Sequence, residues 1–414
     1  MTEETDSTRG GPFDPAVRQR LEDDPGLREL GAGASIAFTL EGDSWSETVA
    51  FEAGDYRRST GRAPAFTLAM SDDDWRALTR AEPRAGEQHV LGFLRAERAR
   101  LTGDELAFAQ HVQLVRRVVE VCRGSATSTP EGGRRLDFRG SYVRVDVPGY
   151  GQCDLFVERT GRGQPVLGLA TAGSDSRQFH GLATHTDITD EIELIAIDLP
   201  WHGKSDPAWG RRATSYELTS ELYTGVVVAA LEALDLEQPI LLGSSMAGAS
   251  VVEVVAARPD LVRGAVACQV GPRVAGRRTA ALRSSVVNQT LHVPEWTYGL
   301  MAPSSPFRDR VWWGYSQGGF GAYDGDIAYY TGQWDIDHVS ELLSEASPHI
   351  ALLSGAYDTS VPPAATRELH GRIPNSSFEV MPELGHFPHA ENPEAFAPYL
   401  RRAIARVLDA VRID

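Results

Sequence analysis

Gly243-Ser244-Ser245-Met246-Ala247-Gly248, directly after the apolar run Pro239-Ile240-Leu241-Leu242, constrains this chain more than any other stretch. A buried strand that ends in a Gly-x-Ser-x-small turn and runs straight into a helix is a nucleophile elbow. The turn forces its central residue into a strained backbone conformation, so only small side chains fit on either side. That geometry lifts the Ser245 hydroxyl above the sheet and aims the following N–H groups at the same point. Ala247 stands where a second glycine is commoner, and a methyl group is a small cost there. The bland alternative is a serine-rich strand-to-helix loop, which chance alone often supplies. The rest of the chain decides between them.

A serine hydroxyl needs a histidine base, itself oriented by a carboxylate. Both occur downstream, each on a loop after an apolar strand. His349–Gly355 reads as a buried strand, and the loop Gly355-Ala356-Tyr357-Asp358-Thr359-Ser360-Val361-Pro362 offers Asp358 as the acid. Phe378–Met381 is the next short strand, followed by Gly385-His386-Phe387-Pro388-His389-Ala390-Glu391-Asn392-Pro393. His386 is the expected base, and His389, further into the segment, is expected to cap or pack. Pro165–Ala170 reads as a strand whose following loop, Thr171-Ala172-Gly173-Ser174-Asp175-Ser176, should complete an oxyanion hole. The expected donors are the backbone N–H groups of Met246 and Ala172, with Gly173 as the alternative to Ala172; such donors are worth a few kcal/mol of barrier. The loop Asp198-Leu199-Pro200-Trp201-His202-Gly203-Lys204-Ser205 reads as structural.

From about Ser141 to the C-terminus, the chain resembles the α/β-hydrolase fold superfamily. The likeness rests on the D-x-P-x-H-G-x-S loop, the G-x-S-x-A-G elbow, the G-x-x-D-x-x-V-P loop and the G-H-F-P-H-x-E-N-P-E loop. It implies an α/β fold with a mostly parallel sheet, an inserted cap, and Ser245, Asp358 and His386 as catalytic triad. Ala170-Thr171 departs from the family's usual His-Gly before the oxyanion residue. The implied chemistry is hydrolysis of a carboxylic ester or lactone through an acyl-enzyme, without cofactor or metal. The Ser-Met step after the nucleophile also resembles C–C bond hydrolases of vinylogous diketones, whose glycine-rich oxyanion loop is missing here. Transfer of the acyl group to another alcohol is a further outcome of the same chemistry. A different class, a non-catalytic receptor or carrier of a hydrophobic ligand, would have no use for an intact acid–base pair.

At 414 residues the chain exceeds one core, so two domains are expected. Arg123-Gly124-Ser125-Ala126-Thr127-Ser128-Thr129-Pro130 divides it: a tail over 1–14, a small domain over 15–122, a linker over 123–140, and the larger domain over 141–414. The small domain should hold strands at Ser35–Leu40, Glu47–Ala53 and Ala65–Ala69, a helix capped by Ser71, and a helix over Glu105–Val121 with Leu106, Phe108, Val112, Val115, Val118 and Val119 on its apolar face. Ile36–Asp43, Phe66–Asp72 and Leu101–Ala107 make this α+β domain resemble the sterol carrier protein-2 (SCP2) family. That resemblance implies a hydrophobic ligand between sheet and helices; the alternative is a module kept for dimerisation or solubility, so a homodimer is among the expected assemblies. The family's lysine-rich approach to the last strand is replaced by Arg95-Ala96-Glu97-Arg98.

Residues 271–347 exceed what the core fold needs and read as a cap. Trp296, Trp312, Trp313, Tyr315 and Phe320 are its candidate substrate contacts, although most such rings should simply form the cap's own core. Each ring can bury roughly 150–250 Å², which suits a bulky hydrophobic or aromatic substrate. The net charge of −17 disfavours nucleic acid as a partner. No run of residues approaches the length of a membrane span, and the acidic start Met1–Asp6 lacks a signal-peptide pattern. Cys122, Cys153 and Cys268, odd in number and far apart, suggest neither disulfides nor zinc, and point to the cytoplasm. Lys204 is the only lysine, so a Schiff-base mechanism is set aside.

Overall fold

The structure is a computed structural model that describes residues 11–57, 61–124, 130, 132–208, 210–211, 216–274, 279–318 and 321–410. It divides into two compact units, Met1–Thr127 with Ser284–Gly299, and Ser128–Arg283 with Leu300–Asp414.

The first unit is built on strands β1 (Ile36–Glu41), β2 (Ser46–Glu52), β3 (Asp55–Arg57), β4 (Phe66–Met70) and β5 (Ala99–Gly103), in the order β3-β2-β1-β4-β5. Only β1 and β4 pair in parallel. Ser71 caps the helix Asp72–Leu78 by accepting the Asp74 N–H at 3.1 Å. Three aspartates in that first turn complement the helix dipole. The long helix Glu105–Arg123 starts on Asp104, which accepts the Leu106 and Ala107 N–H groups, and stops at Gly124 in the left-handed region. Phe108, Val112, Val115, Val118 and Val119 are buried as the helical spacing requires, whereas Leu106 faces out, 40% exposed.

The first unit is not one contiguous stretch of the chain. The helix Gln289–Tyr298, expected in the cap, belongs to this first unit. Fully buried Glu295 takes a bidentate pair from Arg116 at 2.7 and 3.1 Å, and His292 Nδ1 lies 3.1 Å from the Ala109 carbonyl. Such a pair is expensive to break once desolvated, so it fixes the segment on the helix Glu105–Arg123.

The second unit carries an eight-stranded sheet: β6 (Arg139–Val147), β7 (Gly151–Gly161), β8 (Gln164–Leu169), β9 (Ile192–Ile197), β10 (Ile240–Ser244), β11 (Gly264–Cys268), β12 (His349–Gly355) and β13 (Ser376–Met381). The order is β13-β12-β11-β10-β8-β9-β7-β6; the six strands from β13 to β9 run parallel, and β7 and β6 close one edge antiparallel. β10, β11 and β12 are buried along their whole length, which is why they read as unbroken apolar runs rather than alternating ones. The helix Met246–Ala257 packs on β10 and β11, and the helix Pro393–Asp409 on β11 and β12. The parallel strands deliver their C-terminal ends, and the loops after them, to one edge of the sheet. Asp198, after β9, accepts the Ser176 and Lys204 N–H groups at 2.7 and 2.9 Å, a structural use of that loop. Among the described residues, no helix is long and apolar enough to cross a membrane.

Candidate active site

β10 ends at Ser244 and the helix begins at Met246, leaving Ser245 alone at the junction with φ 59° and ψ −122°. A side-chain-bearing residue held there costs on the order of 1–3 kcal/mol. The turn is held by the Ser245 N–H, which donates to the Cys268 carbonyl of β11 at 2.9 Å. Gly243 is required by proximity, since a Cβ on it would lie 2.4 Å from the Ala247 carbonyl oxygen. Met246 is the first helical residue, so its N–H belongs to the group that a helix start leaves without an intrahelical acceptor. Ser245 itself is 2% exposed.

Asp358 stands three residues beyond the end of β12. Its Oδ1 accepts the Ser360 and Val361 N–H groups at 2.7 and 3.0 Å, and its Oδ2 lies 2.5 Å from His386 Nδ1. Both side chains are buried. The histidine loop is tied down from several sides. The His386 N–H donates to the Leu300 carbonyl at 3.0 Å, and Ser244 Oγ donates to the His386 carbonyl at 2.8 Å. The latter bond joins the residue before Ser245 directly to the backbone of residue 386.

Glu391, in the same loop, is a contributor that sequence reasoning did not single out. Fully buried, it accepts the N–H groups of Gly385 (2.6 Å), Ala302 (3.3 Å) and Phe387 (3.3 Å) and the Ser305 hydroxyl (3.0 Å). Burial still pushes its carboxyl up to about 7 despite these donors. Glu391 thus clamps the backbone on both sides of His386. Its place in the G-H-F-P-H-x-E motif was the available signal. His389 packs flat on Phe179, ring centres 4.8 Å apart, and burial, with His386 nearby, drives its pKa down to about 3. It is a neutral core residue.

After β8, the Thr171 N–H donates to Gln178 Oε1 at 3.1 Å and the Gly173 N–H to Asp326 Oδ2 at 2.7 Å. Between them, the Ala172 N–H is taken by no hydrogen bond among the described residues. Gly173, the alternative donor, is therefore already committed. Asp326 comes from the helix Ala322–Gly332 within the insertion and is fully buried. It also receives the Tyr216 hydroxyl at 2.5 Å and lies 2.8 Å from His202 Nε2. Burial alone would lower the His202 pKa, but the Asp326 charge outweighs it and raises it to about 9. His202 is thus protonated at neutral pH. No sequence motif marked Asp326, because its partners come from two distant connections, Gly173 after β8 and His202 with Tyr216 after β9.

The aromatic residues of the insertion separate. Trp296 packs in the first unit, against its core and beneath Arg95 at 4.9 Å, which corrects its assignment to the cap. Tyr315 is buried with its ring 5.6 Å from Phe387, next to His386. Trp312 is half-buried, and Trp313 is 53% exposed with Arg177 5.6 Å from its ring. Phe320 lies outside the described residues.

The profile described as the Alpha/beta hydrolase family matches residues 168–399. Among curated proteins, the chain is 23% identical over 228 residues to the uncharacterized hydrolase YugF of Bacillus subtilis, covering 51% of this chain and 80% of the relative. It is 30% identical over 143 residues to 2-(acetamidomethylene)succinate hydrolase of Mesorhizobium japonicum, covering 34% of this chain and 48% of that protein, about half its length. Among solved structures it resembles a thermophilic esterase from Thermogutta terrifontis, with TM-score 0.54, 21% identity, and coverage of 64% of this chain and 99% of that one. The enol-lactonase from Burkholderia xenovorans gives TM-score 0.53 at 16% identity, over 63% of this chain and 99% of that one. The family profile spans Ser245, Asp358 and His386. The chain belongs to the alpha/beta hydrolase family.

Proposed function

We propose that this hydrolase is a serine enzyme that cleaves a carboxylic ester or lactone of a bulky hydrophobic or aromatic substrate through an acyl-enzyme. Ser245 attacks the carbonyl, and His386 takes its proton. Asp358, bonded to Nδ1, holds the imidazole in the tautomer that leaves Nε2 as base and stabilises the imidazolium. The Met246 and Ala172 N–H groups receive the oxyanion, and His386 then protonates the leaving alkoxide and activates water for deacylation. The observation that carries this reading is the buried His386–Asp358 pair, anchored through Ser244 to the strand end that presents Ser245. Tyr315 beside Phe387 supports an apolar or aromatic acyl site.

A turnover screen of aryl esters, macrolactones and aryl diketones tests the substrate class. Ester or lactone cleavage lost in Ser245→Ala supports the reading, and turnover of the diketones alone replaces it with C–C hydrolysis. With no membrane-spanning helix among the described residues and three free cysteines, the cytoplasm is the compartment proposed. For the first unit we retain the SCP2-like reading beside the module for dimerisation or solubility. The stacking of Phe38 on Phe66 at 5.1 Å, and of Phe66 edge-on to Phe108, fills space between sheet and helix and favours the latter. Displacement of a fluorescent acyl chain from the full protein separates the two.

A further inference from the structure

The loop after β8 is held on both sides of Ala172, and one of the two holds comes from the insertion. Leu169, the last residue of β8, pairs with Gly243 of β10, so this loop and the elbow leave the sheet side by side. The Ser174 N–H donates to the Thr171 carbonyl at 3.0 Å and closes a turn, with Gly173 in the left-handed region at φ 71°. Before Ala172, the Thr171 N–H is fixed by Gln178; after it, the Gly173 N–H is fixed by Asp326 Oδ2 at 2.7 Å. The insertion also meets Gly173 by shape. A Cβ on Gly173 would lie 2.9 Å from the Tyr323 ring, so the absence of a side chain lets the helix Ala322–Gly332 come this close.

Asp326 is not free to turn away from this loop. Besides Gly173, its carboxylate meets the Tyr216 hydroxyl at 2.5 Å and His202 Nε2 at 2.8 Å, and the other nitrogen of that ring lies 3.0 Å from the Pro200 carbonyl. A fully buried carboxylate shared among three donors has few arrangements open to it. Nor is Asp326 the helix's only fastening. The Leu218 N–H donates to the Gly325 carbonyl at 3.0 Å, the Tyr329 hydroxyl to Glu253 at 2.9 Å, and Trp334 Nε1, just beyond the helix, to the Gly271 carbonyl at 2.8 Å. What Asp326 adds is a bond to the peptide unit directly after Ala172. We propose that Asp326 is a positioning residue for the oxyanion hole: by holding Gly173 it fixes the direction in which the Ala172 N–H points. The proposal rests on the serine-hydrolase reading, in which that N–H receives the oxyanion. The insertion then contributes to the chemical step through backbone geometry, without touching the reacting atoms.

The test compares, in the full chain, Asp326→Ala, which leaves the Gly173 N–H without its acceptor, with Asp326→Asn, which keeps one. Both lose the charge opposite His202, so both are destabilised. Each is assayed, at a temperature where its circular dichroism matches wild type, for turnover of para-nitrophenyl butyrate and for the rate at which a fluorophosphonate labels Ser245. Outright loss of one oxyanion donor costs about 10²–10³ in kcat. A donor that is only released from its hold should cost less. In Asp326→Ala, kcat is therefore expected to fall about 10- to 100-fold with KM nearly unchanged, and labelling to slow by a similar factor. Asp326→Asn should restore both rates to within about threefold of wild type. Rates that fall equally in the two variants, a loss confined to KM, or an Asp326→Ala protein labelled as fast as wild type overturns the proposal. Should Asp326→Ala not fold, its combination with Tyr216→Phe leaves one buried polar group fewer without a partner and is held to the same expectations. Failure of the underlying reading shows in a different place. A wild-type Ser245 that takes no label refutes the serine hydrolase and the positioning role together, whereas failure of the positioning role alone shows only in the variants.

Discussion

Asp326→Asn is the substitution that probes the buried polar network most sharply. Asparagine keeps the shape and can still accept the Gly173 N–H, but it removes the charge opposite His202. His202 is raised from 6.5 to about 9, which corresponds to about 3 kcal/mol of preferential proton binding by the folded protein. Full burial of the pair means that solvent screening takes little from that figure. The sign follows from the direction of the shift. The folded pKa lies above the unfolded one, so the stabilisation is complete below about pH 6.5, declines as pH rises, and is gone above about pH 9. Asp326→Asn should therefore lower the urea unfolding free energy by about 3 kcal/mol near pH 6 and by far less near pH 10. Nitrogen-15 NMR of histidine-labelled protein reads the cause directly. The His202 signal, assigned by its loss in His202→Gln, should titrate near 9 in wild type and below the ordinary histidine value in Asp326→Asn, where burial acts unopposed. A wild-type His202 that titrates normally, or a stability cost independent of pH, would refute the reasoning.

Three further expectations concern the site. Ser245→Gly should abolish ester turnover yet raise the thermal midpoint, because it relieves about 1 kcal/mol of backbone strain; a lowered midpoint counts against the strained elbow. Asp358→Asn should reduce kcat roughly 10³–10⁴-fold with KM nearly unchanged, and a loss confined to KM would remove Asp358 from its orienting role. Glu391→Gln replaces an acceptor by a donor among four donors and should cost about 2 kcal/mol in urea unfolding. Its kcat should fall with little change in KM, and unaltered kinetics would mean that the clamp around His386 is dispensable.

The sequence carried the parts of this molecule that local chemistry dictates. β10, β11 and β12 were legible because a strand buried on both faces must be apolar throughout. The elbow was legible because Gly243 and Ala247 are the small residues that the turn tolerates. The Ser71 cap announced its helix in the same way. What could not be read depends on partners distant in the chain. Trp296 looked like one more ring of an aromatic insertion, and the contacts that assign its helix to the first unit, the Arg116–Glu295 pair and the His292–Ala109 bond, join residues nearly two hundred positions apart. Asp326 meets His202, Tyr216 and Gly173 only after folding, and no spacing announces that. Leu106 sat on a helical stripe by periodicity, yet it is 40% exposed while Ala107, Phe108 and Ala109 next to it are buried.

The most direct measurement is reaction of the intact chain with a fluorophosphonate, located by peptide mass spectrometry. The account expects one label per chain, on Ser245, absent in Ser245→Ala and slowed by orders of magnitude in His386→Ala. A folded wild-type protein that takes no label, or takes it equally after either substitution, would contradict it.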